Sequence, residues 1–235
     1  MDFTDLVMIA RKIYRIKRTK DKEVKNAIEN SYEDDFFNLL FEQLKDKKLY
    51  VDSNIFMAES NKAVDRFFDA FTAYDNIKIT MPREQYEEIY NLKRSDEESS
   101  SKAARDAFRR IEKLVDSKHI NILDLKDMSD DSSSYADPIF IKMIIEDLKN
   151  EKQVYFITED KDLKIRLKSQ IESEELNENN IVICSFETLY NDKYNIVDAE
   201  RRRIKKGEET DEFFAKLQTD SLKDKMLDKV VSFLK

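Results

Sequence analysis

Five carboxylates, Asp52, Glu88, Asp137, Asp160 and Asp162, stand where an α/β chain could gather them around a divalent ion. Asp52 ends Lys48-Leu49-Tyr50-Val51-Asp52, while Asp160 and Asp162 trail Val154-Tyr155-Phe156-Ile157-Thr158. Both apolar runs read as short, buried parallel strands. Glu88 and Asp137 fall near the starts of predicted helices. In an open α/β sheet, ligands bind outside the carboxyl ends of the strands. Acids distant in sequence but collected at that edge suit Mg²⁺ or Mn²⁺, hard ions that prefer carboxylate and water oxygens. Such an ion polarises a phosphodiester and lowers the pKa of an attacking water. Metal-dependent hydrolysis of a phosphodiester is the chemistry to expect.

The elements that must position these acids follow from hydrophobic periodicity. Residues 3–47 read as helical, with Leu6, Ile9, Ile13 and Ile16, then Phe36, Leu39, Leu40 and Leu44 after a charged break. A first strand is predicted over 48–52, a helix over 59–75 and a second strand over 77–80. Pro82 is placed in the first turn of the next helix, where its missing N–H costs nothing. After a polar break at 94–101 a helix is expected over 102–117, then a third strand over 120–125. A Ser/Asp loop at 127–134 leads to Asp137-Pro138, with Asp137 as the N-cap of a further helix. A strand at 153–158, a helix at 161–174 and a strand at 180–184 complete the alternation. Strands alternating with helices imply parallel crossovers. The expected fold is therefore α/β, a three-layer αβα arrangement around a mostly parallel five-stranded sheet with extra helices at both termini. The organisation reads as a helical extension over 1–47, a nuclease-like domain over 48–194, and a basic segment with a C-terminal helix over 195–235.

Composition removes most competing chemistries. The chain of 235 residues is 40% hydrophobic and 39% charged, and it contains one glycine, Gly207, and one histidine, His119. Walker loops, dinucleotide fingerprints and nucleophile elbows need glycines where backbone meets phosphate or turns sharply. A single histidine also leaves no His-rich metal site. Cys184 stands alone in an apolar run, so no internal disulfide forms, which suits a reducing compartment. No stretch approaches the roughly 18 apolar residues of a membrane span. The N-terminal residues do not read as a signal peptide, and a cytoplasmic location is expected. The net charge of −8 argues against a broadly adhesive nucleic-acid binder, leaving local basic patches and metal as the means of holding a polyanion.

Four blocks within 48–194 together resemble the PIN-domain nucleases. Leu49-Tyr50-Val51-Asp52-Ser53-Asn54 is similar to that family's opening strand and Asp-Ser/Thr-Asn turn. Pro82, Gln85 and Glu88 match the spacing of its Pro-x-x-Val-x-x-Glu helix, with Gln85 in place of the usual apolar residue. Glu84 and Glu87 share that helix, and Glu87 is the nearest substitute for Glu88. Tyr135-Ala136-Asp137-Pro138-Ile139 resembles the helix carrying the third acid, and Thr158-Glu159-Asp160-Lys161-Asp162-Leu163 the Thr-x-Asp-x-Asp-Leu signature.

The resemblance implies a Mg²⁺- or Mn²⁺-dependent endoribonuclease. Asp52, Glu88, Asp137 and Asp160 would be catalytic and metal-binding, with Asp162 as a further ligand. It also implies that Asn54 orients Asp52 and that Thr158 orients Asp160. Single-strand or flap DNA cleavage, and a non-catalytic scaffold on the same fold, are the alternatives. A receiver or haloacid-dehalogenase-like phosphotransfer protein fits poorly: Asn54 replaces the phosphatase's second acid, and Ser185 follows the last strand where a receiver needs lysine. Arg201, Arg202, Arg203, Lys205 and Lys206 form a candidate phosphate-contacting run, and Arg11 to Lys20 holds a second basic cluster. The terminal helices, including the apolar side Phe213, Leu217, Leu222, Met226, Val230 and Leu234, could bind a second copy or a regulatory protein.

Overall fold

The computed structural model describes the backbone of residues 3–59, 61–123 and 136–206, with side chains from residue 22 onward except those of Ala136, Lys205 and Lys206. The basic side chains of 11–20, the 127–134 loop and the apolar residues from 213 to 234 lie outside this description. The chain divides into two compact units, one from 37–191 and one combining 1–36 with 192–235.

The larger unit holds the sheet. Its strands are β1 (Lys48–Val51), β2 (Ile79–Pro82), β3 (Ile120–Leu123), β4 (Val154–Ile157) and β5 (Ile181–Cys184). They lie in the order β3-β2-β1-β4-β5, and every neighbouring pair is parallel. The expected α/β fold is the observed one. Helices α2 (Ser53–Phe56) and α3 (Lys62–Thr72) join β1 to β2, and α4 (Arg83–Leu92) and α5 (Glu98–Asp116) join β2 to β3. The chain then jumps back through α6 (Ala136–Lys149) to β4, and α7 (Lys161–Ser173) leads to β5 and α8 (Phe186–Asn191). Winding outward to β3 and then back past β1 opens a crevice between β1 and β4, the usual place for a ligand in such a sheet.

Alternation along the strands explains the layers. Tyr50, Val154 and Phe156 face a cluster built from Phe140, Ile144 and Leu148 of α6 and Leu163, Leu167 and Ile171 of α7. Leu49, Val51, Tyr155 and Ile157 take the opposite pleat and are as fully buried. An aromatic group from the helices includes Phe37, Phe41, Phe67, Phe71 and Phe186, with ring centroids 5.3–6.2 Å apart. Phe37 and Phe41 belong to the end of α1 (Phe3–Leu44), which runs unbroken through the charged stretch where an interruption was expected.

Three boundaries depart from the sequence expectation. Pro82 is the last residue of β2, paired with Leu123, and occupies the N-cap of α4 rather than its first turn. Its φ of −65° and ψ of 146° suit an extended exit, and a strand's end tolerates the missing donor. Helix α5 begins inside the predicted polar break, with Glu97 as its N-cap residue and the Ser99 and Ser100 hydroxyls of its first turn donating to the Glu97 carboxylate at 2.9 and 2.8 Å. Asp137 lies within the first turn of α6, one residue past its start at Ala136, rather than at the N-cap. A carboxylate there still complements the positive end of the helix dipole.

Several helix ends show what glycine scarcity does to the backbone. Lys118, Glu151 and Glu175 follow α5, α6 and α7 with φ of 61°, 56° and 52°. Each carries the paired bonds of a Schellman cap. The N–H groups of Lys118 and His119 reach Val115 O and Leu114 O, those of Glu151 and Lys152 reach Leu148 O and Asp147 O, and those of Glu175 and Leu176 reach Glu172 O and Ile171 O.

The smaller unit contains the first part of α1 and helix α9 (Lys193–Lys206). Tyr32 donates to Asp198 at 2.8 Å, and Arg201 binds Asp35 at 2.6 Å while stacking over the Tyr32 ring. Among the described residues, no helix is long and apolar enough to cross a membrane.

Candidate functional site at the carboxyl edge of the sheet

Asp52 leaves β1 as the N-cap of α2, a position set by the backbone bond from its N–H to Ile157 O at 3.0 Å. It is buried, with 6% of its surface exposed. Its carboxylate is held from both sides. Oδ1 accepts from the Ser53 N–H at 2.6 Å and the Ser53 hydroxyl at 3.3 Å. Oδ2 accepts from Asn54 Nδ2 at 2.7 Å and Thr158 Oγ1 at 2.5 Å. Burial pushes the Asp52 pKa above the usual carboxylate value and Asp137 adds to the rise, against the lowering effect of the Thr158 and Ser53 bonds.

Asn54 thus bonds the Asp52 carboxylate directly, and its Oδ1 accepts from the Glu159 N–H at 3.4 Å. Thr158 acts differently from the expectation. Its hydroxyl donates to Asp52 and accepts from the Asp160 N–H at 3.0 Å, so it fixes the Asp52 carboxylate and not that of Asp160. The reason is register: Val51 pairs with Ile157, which sets the residues that follow them, Asp52 and Thr158, side by side.

Glu88 projects from α4 and is half-buried, whereas Glu87 is exposed. Burial raises the Glu88 pKa first, and the charges of Asp137 and Asp52 raise it further. This coupling distinguishes Glu88 from Glu87. No hydrogen bond or ion pair reaches its carboxylate among the described residues. One turn earlier, Glu84 Oε2 is also buried without a hydrogen-bond partner among them. Asp137 is the acid that acts on both Asp52 and Glu88, and its own Oδ2 receives Arg166 Nη2 at 2.5 Å.

Asp160 and Asp162 are engaged elsewhere. Asp160 is the N-cap of α7, accepting from the N–H groups of Asp162 and Leu163 at 2.8 and 3.0 Å. Asp162 is exposed and binds Arg166 Nε at 2.8 Å. The structure thus draws Asp52, Glu88 and Asp137 into one electrostatic group, with Asp160 bordering it through Thr158. Among the described residues, no three acids already sit close enough together to form a finished metal centre. The donors nevertheless fit a hard divalent ion in kind: oxygen only, with one half-buried acid that has no ion-pair partner among the described residues.

Two residues matter here to which sequence reasoning gave no role, Gln85 noted only as a departure from an apolar position and Arg166 not singled out. Gln85 is fully buried, and its Nε2 donates to Val51 O at 3.0 Å, immediately before Asp52. Strands β1 and β2 pair only at Leu49↔Ile79 and Tyr50↔Thr80, so the Gln85 amide supplies a donor where the ladder has opened. A polar residue at an apolar position of the amphipathic helix was the available signal. Arg166 was legible as the i+4 partner of Asp162. Its reach to Asp137, 29 positions away, depends on α6 and α7 packing side by side.

The basic run in α9 is largely committed within its own unit. Arg201 holds Asp35, and Arg203 pairs with Glu200, with both partners of the latter nearly buried. Arg202 is exposed, and the side chains of Lys205 and Lys206 lie outside the described set. His119 is structural: its Nε2 lies 2.9 Å from Tyr74 O and its ring meets Phe71 edge-on. Burial pushes the Cys184 thiol up to about 12, so it stays protonated and unreactive at neutral pH.

No family model matches this chain, and no curated protein matches it closely enough to show kinship.

Proposed function

We propose that this chain is a divalent-metal-dependent endonuclease that hydrolyses phosphodiester bonds, with RNA as the preferred polymer. The observation that carries the reading is Glu88. A half-buried carboxylate raised by burial and by two neighbouring acids, with no hydrogen bond or ion pair among the described residues, is a poor arrangement for an isolated protein. A bound cation removes the conflict. The placement of the group at the carboxyl edge of β1 and β4, beside the switch in strand order, is where an α/β sheet offers a ligand its crevice.

Asp52, Glu88 and Asp137 would hold Mg²⁺ or Mn²⁺, with Asp160 next in line and Asp162 outermost. When bound, the ion supplies Lewis acidity toward the phosphate and a more acidic attacking water. The chain's own residues do the positioning. Ser53, Asn54 and Thr158 hold Asp52 in a single orientation, so one oxygen ligand needs no rearrangement before substrate arrives. Gln85 fixes the end of β1 from which Asp52 emerges. Asp160 ties the start of α7 to the same hydroxyl that restrains Asp52. The preference for RNA rests on the resemblance of the four sequence blocks to PIN-domain nucleases, and single-strand or flap DNA is the other substrate to test.

A non-catalytic, nucleic-acid-binding role on the same fold is the second reading. What favours it is the engagement of Asp137 by Arg166. Cleavage of end-labelled single-stranded RNA and DNA with Mn²⁺ or Mg²⁺, comparing wild type with Asp52→Asn and Glu88→Gln, separates the two. Metal-dependent cutting lost in both variants supports the nuclease. Absence of cutting together with absence of Mn²⁺ binding by calorimetry refutes it.

A further inference from the structure

Arg166 links two of the candidate acids and serves neither as a fold requirement. Its Nη2 donates to Asp137 Oδ2 at 2.5 Å and its Nε to Asp162 Oδ2 at 2.8 Å. The side chains of Arg166, Asp137 and Asp162 are 40%, 39% and 76% exposed, so these contacts hold no core together and solvent screens them. The pair with Asp162 is local, one helical turn along α7. The pair with Asp137 reaches across to α6, to the acid whose charge acts on both Asp52 and Glu88.

This arrangement has a consequence if a divalent ion enters the group. The ion becomes the counter-charge of Asp137, and Arg166 loses its reason to stay there. Asp162 still restrains Nε, which keeps the guanidinium beside the site with its terminal nitrogens released. The anion that must arrive next is a phosphodiester, and a guanidinium offers the fork of donors that phosphate oxygens accept. We propose that Arg166 binds the substrate phosphate, and that in the metal-free protein it is parked on Asp137 until a divalent ion displaces it. This rests on the nuclease reading of the same site.

Two measurements on Arg166→Gln test it. Removing a competitor for Asp137 should tighten Mn²⁺ binding about two- to fivefold by calorimetry, the range of a screened surface ion pair. Removing a phosphate contact should lower kcat/KM on a short single-stranded RNA and flatten its log–log dependence on salt by about 0.7. Arg166→Lys keeps a charge and should restore most of the salt slope while recovering less of the rate, because the fork is gone. A merely structural role would leave the salt slope unchanged and would not strengthen metal binding. Wild-type Mn²⁺ binding and RNA cleavage, with Arg166→Gln equal or weaker in metal affinity or unchanged in slope, overturns the role of Arg166 alone. Wild type that neither binds Mn²⁺ nor cuts RNA overturns the nuclease reading and this proposal with it.

Discussion

Replacing Thr158 by valine keeps the shape of the side chain and removes one oxygen. That oxygen is fully buried, so water cannot take its place beside Asp52. It donates to Asp52 Oδ2 at 2.5 Å and accepts from the Asp160 N–H at 3.0 Å. A hydrogen bond to a charged group contributes about 1.5–3 kcal/mol. Asp160 is only half-buried, so its N–H can turn to solvent and adds less. The expected loss is about 2–3 kcal/mol at pH 7, or roughly 5–10 °C in Tm for a chain of this size. The cost must also depend on pH. Burial already raises the folded Asp52 above its ordinary 3.8, so from that value upward the folded state binds more protons than the unfolded one. Stability contributed by Asp52 is therefore full below this window and declines as pH rises through it. Thr158 is the largest influence opposing the rise, and its loss extends the window upward. Urea unfolding of wild type and Thr158→Val from pH 4.5 to 8 should show a gap that widens with pH. Thr158→Ser should return the pH dependence to that of wild type. A gap that stays constant across this range, or one below about 0.5 kcal/mol, refutes the assignment of Thr158 as the restraint on Asp52.

Glu88→Gln removes a raised acid, so the metal-free variant should be more stable than wild type at pH 7 by up to about 1 kcal/mol. The benefit should shrink as pH falls toward the ordinary glutamate value of 4.5 and vanish only below it, where Glu88 is protonated in both states, and saturating Mn²⁺ should reverse the order of the two melting temperatures. Thermal scans with and without metal decide it; a less stable metal-free variant contradicts the electrostatics. Gln85→Leu strips the donor from Val51 O, costing about 1–3 kcal/mol less whatever is recovered by removing the unpartnered Gln85 Oε1. Gln85→Glu sets acceptor against acceptor in the same buried position and should cost more in urea unfolding at pH 7. The opposite order would mean that the amide is not bonded as described.

The sheet was legible because its central strands are apolar on both faces. Tyr50-Val51 and Val154-Tyr155-Phe156-Ile157 are buried throughout, and that is what a continuous apolar run signals. The turn chemistry at the ends was less accessible. Pro82 carries the same φ in a strand exit and in a first helical turn, so only pairing with Leu123 decides between them. Glu97 and its two serines looked like a linker, yet α5 starts among them with the serine hydroxyls bonded to the Glu97 carboxylate. At the site, Asp52 and Asn54 could be read because they are two residues apart and local. The hold of Thr158 on Asp52 spans 106 positions and follows from strand register, and that of Arg166 on Asp137 from helix packing. Neither leaves a trace in local spacing. Glu88 could be separated from Glu87 only once burial and the neighbouring acids were known.

The left-handed residues Lys118, Glu151 and Glu175 give the protein room to change. A side chain bearing Cβ costs about 1–2 kcal/mol in that conformation, partly offset by the lower chain entropy of a non-glycine residue. Glycine at each position should therefore gain up to about 1 kcal/mol, readable as additive steps in Tm. In a parallel sheet these helix ends lie toward the amino edge of the strands, away from the acids. Reserve can thus be added on one side of the molecule and drawn on at the other. A triple-glycine background would tolerate costly changes such as Thr158→Val while remaining folded, and would let the carboxyl edge explore new chemistry without collapse.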